Sequence, residues 1–122
     1  MALPDLPTTY TTLEERGSVL IVGFKMKMLN DEENIEQLGQ ELFTLVEQYN
    51  WLKVAVDMSN VEYLTSSVIG KIITLHRKLH RHHGEMVLFG LTEGVATILR
   101  TSKLLSYFTV VDNKSAALAQ LA

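Results

Sequence analysis

Two segments that are apolar almost throughout, 52–58 (Leu-Lys-Val-Ala-Val-Asp-Met) and 85–91 (Glu-Met-Val-Leu-Phe-Gly-Leu), flank a long stretch of helical periodicity. A strand covered on both faces reads as a near-continuous hydrophobic run. Strands joined through a helix run parallel with a right-handed crossover. The pair therefore commits the chain to an α/β fold with a parallel ladder at its centre. The helix between them is predicted over 66–83. Val68, Ile72, Leu75 and Leu79 recur at steps of three and four, with Ile69, Ile73 and His76 beside them and Lys71, Thr74, Lys78 and Arg81 on the opposite face. Gly84 stands where a left-handed C-terminal cap is expected.

The flanking sequence completes the order. Residues 8–13 and 18–24, rich in Thr, Val, Ile, Tyr and Phe with Gly17 between them, predict an antiparallel hairpin. A helix is expected from Asn30 or Asp31, either of which can cap it. Its apolar stripe is Ile35, Leu38, Leu42, Leu45 and Tyr49, and Gly39 inside it is expected to pack closely against the sheet. Thr92 caps a short helix carrying Val95, Ile98 and Leu99. Residues 108–111 form a last strand, and Asp112 or Asn113 starts a terminal helix. The expected architecture is β-β-α-β-α-β-α-β-α: a mixed, mainly parallel sheet with an N-terminal hairpin and about four helices. Residues 1–7, marked by Pro4 and Pro7, read as a flexible lead-in to a single domain over 8–122.

Composition narrows the function. The 122 residues are 47% hydrophobic and 20% charged with a net charge of −3, so a core is affordable and a dedicated nucleic-acid surface is disfavoured. The basic group Lys71, Arg77, Lys78 and Arg81 is read as a solvated helix face. No cysteine is present, which removes disulfides and thiol chemistry. No apolar run approaches the roughly 18 residues of a membrane span, and the first twelve residues do not resemble a signal peptide. A cytoplasmic location, with no membrane and no nucleic-acid partner, is expected.

Catalytic constellations are not found. The seven glycines form no phosphate loop. His76 and His80 are four apart on one helix, but no third metal ligand is supplied, so no metal and no cofactor is expected. Glu14–Glu15 and Glu32–Glu33 are adjacent rather than convergent. An enzyme is therefore not expected. The informative place is the joint between the strand ending at Met58 and the helix starting at Ser66, because ligands of open α/β sheets gather at strand carboxyl ends and helix N-termini attract phosphate. Thr65, Ser66 and Ser67 put three hydroxyls there, and helix capping by itself also accounts for such residues.

Residues 54–91 resemble the core of STAS domains. In the bacterial members called anti-sigma factor antagonists, a strand ending Asp-Leu-Ser leads to Asp-Ser-Ser-Gly-Leu-Gly, then a long helix, a Gly-Gly turn and a hydrophobic strand. Asp57-Met58-Ser59 is similar to the first element, Thr65-Ser66-Ser67-Val68-Ile69-Gly70 to the second, and His83-Gly84 stands at the turn. The tail, 95–121, is similar to the family's closing helix, strand and helix. The chain departs from the pattern at two positions, with Thr65 in place of the Asp and Val68 in place of the Gly. The resemblance implies a regulatory protein that binds a serine-kinase anti-sigma factor and is phosphorylated at Ser66, with Ser67 as second choice. The implied partner-binding set is Asp57, Ser59, Thr65, Ser66, Ser67, Gly70, Lys71, Thr74 and Arg77. Of these, Ser66, Gly70 and Arg77 share one side of the helix, and Gly70 either admits a partner or packs on the adjacent strand. A constitutive scaffold or stressosome-like subunit associating with itself or other STAS domains, and a small-ligand or nucleotide sensor, are the alternatives.

Overall fold

The computed structural model of the chain describes residues 9–29 and 32–122. Strand β1 (Thr11–Arg16) turns at Gly17, whose φ of +60° suits glycine, into β2 (Val19–Phe24), and all six residue pairs of this antiparallel hairpin are in register. Strand β4 (Lys53–Asp57) lies parallel to β2 on one side and to β6 (Glu85–Phe89) on the other, and the short β7 (Val110–Val111) closes the far edge. The five-stranded order is β1-β2-β4-β6-β7. The mixed, mostly parallel sheet and its opening hairpin are those expected from the sequence.

Side-chain alternation divides this sheet into two unequal faces. Leu20, Val22, Phe24, Val54, Val56, Met58, Met86 and Leu88 point into the main core. There they meet α1 (Glu32–Glu47), α2 (Ser66–Arg81) and α3 (Glu93–Thr101). Val19, Ile21, Ala55, Val87 and Phe89 point the other way, against Ala117 and Leu121 of α4 (Lys114–Leu121). Each fully buried Leu or Val contributes about 1.5–3 kcal/mol of apolar transfer free energy, so the three-helix face carries most of the stability. Helices α3 and α4 begin at Thr92 and Asn113, whose side chains accept from Val95 N (3.3 Å) and Ala116 N (2.9 Å). These are two of the caps expected from the sequence.

Several expectations are corrected. The sequence predicts the first strand over 8–13; it runs from Thr11 through Glu14, Glu15 and Arg16, because backbone pairing with the buried β2, not side-chain hydrophobicity, determines its extent. Residues 1–8, and the expected caps Asn30 and Asp31, lie outside the described residues. Two strands were not anticipated: β3 (Met28–Leu29) and β5 (Tyr63–Leu64) form a separate parallel pair. Helix α2 stops at Arg81, and the left-handed residue after it is His83 (φ 63°), not Gly84. His83 N donates to His80 O and Gly84 N to Leu79 O, the two bonds of a Schellman ending. Gly84 is required for space: an added Cβ would lie 2.5 Å from the Leu52 carbonyl oxygen. Gly39 packs against the Lys71 side chain of α2 rather than against the sheet.

One buried acid went unnoticed in the sequence. Glu41 of α1 is 2% exposed. It accepts from Tyr10 N (3.2 Å), Thr11 Oγ1 (2.8 Å) and Gln37 Nε2 (3.4 Å), which ties the start of β1 to α1. Neutral donors supply the hydrogen bonds that a buried carboxylate requires.

Gly84→Ala drives a methyl group into backbone, and such overpacking costs about 1–3 kcal/mol. A lowered urea midpoint with an unchanged slope is the expected result; an unchanged midpoint would refute the steric account.

Candidate functional site

The carboxyl ends of β4 and β6 open onto the loop 58–65, and α2 starts where that loop ends. Thr65 is the N-cap: its backbone is extended (φ −88°, ψ 168°) and its Oγ1 accepts from Val68 N at 3.4 Å. Capping thus falls to Thr65, and both Ser66 and Ser67 are exposed. The first turn of α2 carries no acidic side chain, so the positive end of the helix dipole is not neutralised by its own residues. Beside this corner, Met28 and Tyr63 pair across β3 and β5 and remain 48% and 41% exposed, while the alternate residues Leu29 and Leu64 are buried.

Ser67, Gly70, Lys71 and Thr74 line one wall of a groove of about 630 Å³ between α2 and α1, with Ile35, Glu36 and Phe43 opposite. Gly70 faces open space, since an added Cβ would meet nothing within 4 Å. The alternative of packing against the adjacent strand is therefore corrected. Lys71 pairs with Glu36 at 2.9 Å and Lys78 with Glu47, and both ammonium groups lie over the Phe43 ring, 5.9 and 5.2 Å from its centroid. The basic cluster is accordingly not a uniformly solvated face: two of its four members bridge α2 to α1. Ser66 and Arg77 are exposed on the neighbouring side at helical spacing. Glu36, Phe43 and Glu47 were not singled out from sequence. Their spacing of seven and four places them on one stripe of α1, and that was the available signal.

Asp57 and Ser59 have a different setting. Asp57 Oδ1 accepts from Ser59 N (2.9 Å) and Ser59 Oγ (2.6 Å), and both residues pack against Gly90. Asp57 follows the alternation of Ala55, toward the α4 side of the sheet, so this pair shapes the turn after β4 and does not line the groove.

His76 is not placed as a metal ligand. Its ring stacks edge-on with Tyr107 and Phe108 (centroids 5.4 and 6.0 Å), and Nδ1 is buried without a hydrogen-bond partner. Among the described residues no three His, Asp or Glu side chains converge on a cation site. Burial pushes the His76 pKa below the ordinary histidine value, and the charges of His80 and Arg77 act in the same direction.

With the geometry in view, the comparisons are consistent with one another. The STAS domain model matches residues 10–117. The chain belongs to the STAS family. It is 30% identical over 86 residues, 70% of this chain and 73% of the relative, to BtrV of Bordetella bronchiseptica, a protein named as a candidate anti-sigma factor antagonist. Its fold is similar to that of a solved candidate anti-sigma factor antagonist from Thermotoga maritima (TM-score 0.80, 20% identity, 91% of this chain and 93% of that one). It is also similar to the Bacillus cell fate determinant SpoIIAA in its phosphorylated form (TM-score 0.70, 16% identity, 92% and 99%). Among the described residues no helix is long and apolar enough to cross a membrane.

Two outcomes follow from this geometry. Gly70→Ala is expected to raise stability by about 0.5–1 kcal/mol, because a mid-helix glycine facing open space gives up helix propensity without relieving any clash; a fall in the unfolding midpoint would contradict the open groove. For His76 the lowered folded-state pKa favours the neutral ring. That stabilisation is complete above about pH 6.5 and is lost as pH falls through the folded value. His76→Phe keeps the ring contacts and is expected to flatten the acid side of the stability curve below about pH 6.5; an unchanged acid limb would exclude His76 as its source.

Proposed function

We propose that this chain is an anti-sigma factor antagonist acting by reversible docking in the cytoplasm: it binds a serine-kinase anti-sigma factor through the start of α2 and is released by phosphorylation of Ser66. The observation that carries the reading is the division of labour at the corner. Thr65 supplies the capping oxygen, which leaves the Ser66 hydroxyl exposed and free of the capping role at the end of the helix most tolerant of negative charge. The family's Asp at position 65 is replaced by another good N-cap residue, so the capping geometry is retained while one negative charge is removed. Ser67, also exposed, is the second acceptor candidate and lies on the groove side.

In the transfer step the Ser66 Oγ attacks the terminal phosphorus of a nucleoside triphosphate held by the partner. The new Oγ–P bond forms as the bond to the diphosphate leaving group breaks, and the hydroxyl proton passes to a base on the partner. The phosphoserine carries about −1.5 to −2 charges. Within the domain this is tolerated, because a helix N-terminus favours an anion by roughly 0.3–1 kcal/mol. At a protein interface the same charge must be desolvated or meet like charge, at a cost of several kcal/mol. Since about 1.4 kcal/mol is tenfold in affinity, local electrostatics suffices for a switch without refolding. The open groove around Gly70, Ser67 and Thr74 extends the same surface.

Ser66→Asp is expected to weaken binding to the purified serine-kinase anti-sigma factor of the same organism by about a hundredfold, the equivalent of two such tenfold steps, with an unchanged circular-dichroism spectrum. Ser66→Ala should bind as wild type and abolish phosphate incorporation, while Ser67→Ala should leave incorporation intact. Unaltered affinity of Ser66→Asp would sink the switch, and large homotypic assemblies without phosphate transfer would point to a constitutive scaffold instead.

A further inference from the structure

The loop 58–65 that presents the serine corner is held from behind by the segment 89–94, which joins β6 to α3, and the contacts run in step along both segments. Met58 N donates to Phe89 O at 2.9 Å. Gly90, with φ +69°, lies so close to the turn that an added Cβ would stand 3.2 Å from Ser59 Cβ and 3.5 Å from Asp57 Oδ1. Thr92 Oγ1 donates to Val61 O at 2.7 Å while it accepts from Val95 N, so one hydroxyl caps α3 and grips the loop. Gly94 is pressed onto the Glu62 carbonyl, where a Cβ would collide with the oxygen.

The opposite side of the loop is held as firmly. Glu62 N and Tyr63 N both donate to Lys27 O (2.7 and 3.2 Å), and Thr65 N donates to Leu29 O (3.1 Å). Glu62 is therefore clamped between Lys27 and the first turn of α3. Gly94 is an exposed helical position at which Ala is the better helix former. Its lack of a side chain is explained by the approach to Glu62, not by the needs of α3.

We infer that the segment 89–94 is the template that sets the presented shape of the serine corner, with Thr92 and Gly94 as positioning residues for docking at Ser66. The inference rests on the docking role proposed above for Ser66. Neither residue need touch the partner. They act through the loop, whose last residue, Thr65, is both the N-cap of α2 and the neighbour of the acceptor. A displacement of Glu62 is transmitted three residues on to Thr65 through the β5 pairing.

The test uses the full chain and the purified serine-kinase anti-sigma factor of the same organism, with Thr92→Val, Thr92→Ser, Gly94→Ala and Ser66→Asp measured side by side. Thr92→Val and Gly94→Ala are expected to weaken binding at least tenfold. Their amide resonances should shift within 58–66, and those of α1 and α4 should stay in place. Thr92→Ser, which keeps the hydroxyl, is expected to bind within about twofold of wild type. If Gly94→Ala does not fold, the Thr92 pair decides alone. Wild-type affinity for Thr92→Val, or equal losses for Thr92→Val and Thr92→Ser, overturns the inference while a Ser66→Asp loss keeps the docking role intact. No effect of Ser66→Asp overturns both.

Discussion

The parallel pairing of β4 with β2 and β6 is the constraint from which the rest of the molecule follows. Val54, Ala55 and Val56 are buried on both faces of the sheet, so this strand can occupy only a central position. Parallel neighbours then require crossovers, and the crossover from β4 to β6 is α2. The helix must begin at the carboxyl end of β4, beside the loop 58–65, and must lay Val68, Ile72, Leu75 and Leu79 on the sheet. What remains outward is Ser66, Gly70 and Arg77 on one side and Ser67, Lys71 and Thr74 on the next. The candidate site is thus the solvent half of a helix whose other half is fixed by the core.

At the corner itself, capping and recognition do not compete. One oxygen suffices to satisfy the first helical N–H that needs a side-chain acceptor, and Thr65 provides it. Three consecutive hydroxyls are then two more than the helix needs. The same economy is seen at Thr92, which serves its own helix and the loop in front of it with a single hydroxyl. Short side chains with one rotatable oxygen are suited to such double use, because donor and acceptor directions can be satisfied together.

The parts of the fold visible in the sequence are those with a period. The continuous apolar runs of β2, β4 and β6 and the three-and-four steps of α1 and α2 are all long enough to be read. Met28–Leu29 and Tyr63–Leu64 are not, since two residues define no period and their pairing depends on a partner 35 positions away. Glu41 in a helix reads as solvent-facing until β1 is laid over it. Lys71 and Lys78 read as a solvated stripe until α1 brings Glu36, Glu47 and Phe43 alongside. His83 and Gly84 are both legible as a turn, but the reason for a glycine at 84 is the nearby Leu52 carbonyl, a tertiary contact, while the left-handed residue is His83. The serine corner was legible because family pattern and helix start coincide; its rear support on 89–94 was not, because each contact there is made by a single residue with no repeat.

The unequal cover of the sheet has a consequence of its own. Among the described residues, the eight of α4, anchored by Ala117 and Leu121, form the main cover of the strip formed by Val19, Ile21, Ala55, Val87 and Phe89, with Val111 packed at its edge. Local opening follows the smallest loss of apolar contact, and α4 buries two side chains where α2 buries five, so α4 lifts away more readily than α2 and amide exchange would register it there first. The excursion bares an oily stripe on the side of the sheet remote from the α1–α2 groove. Solution conditions that favour clumping would therefore act through α4 while leaving that groove in its native shape.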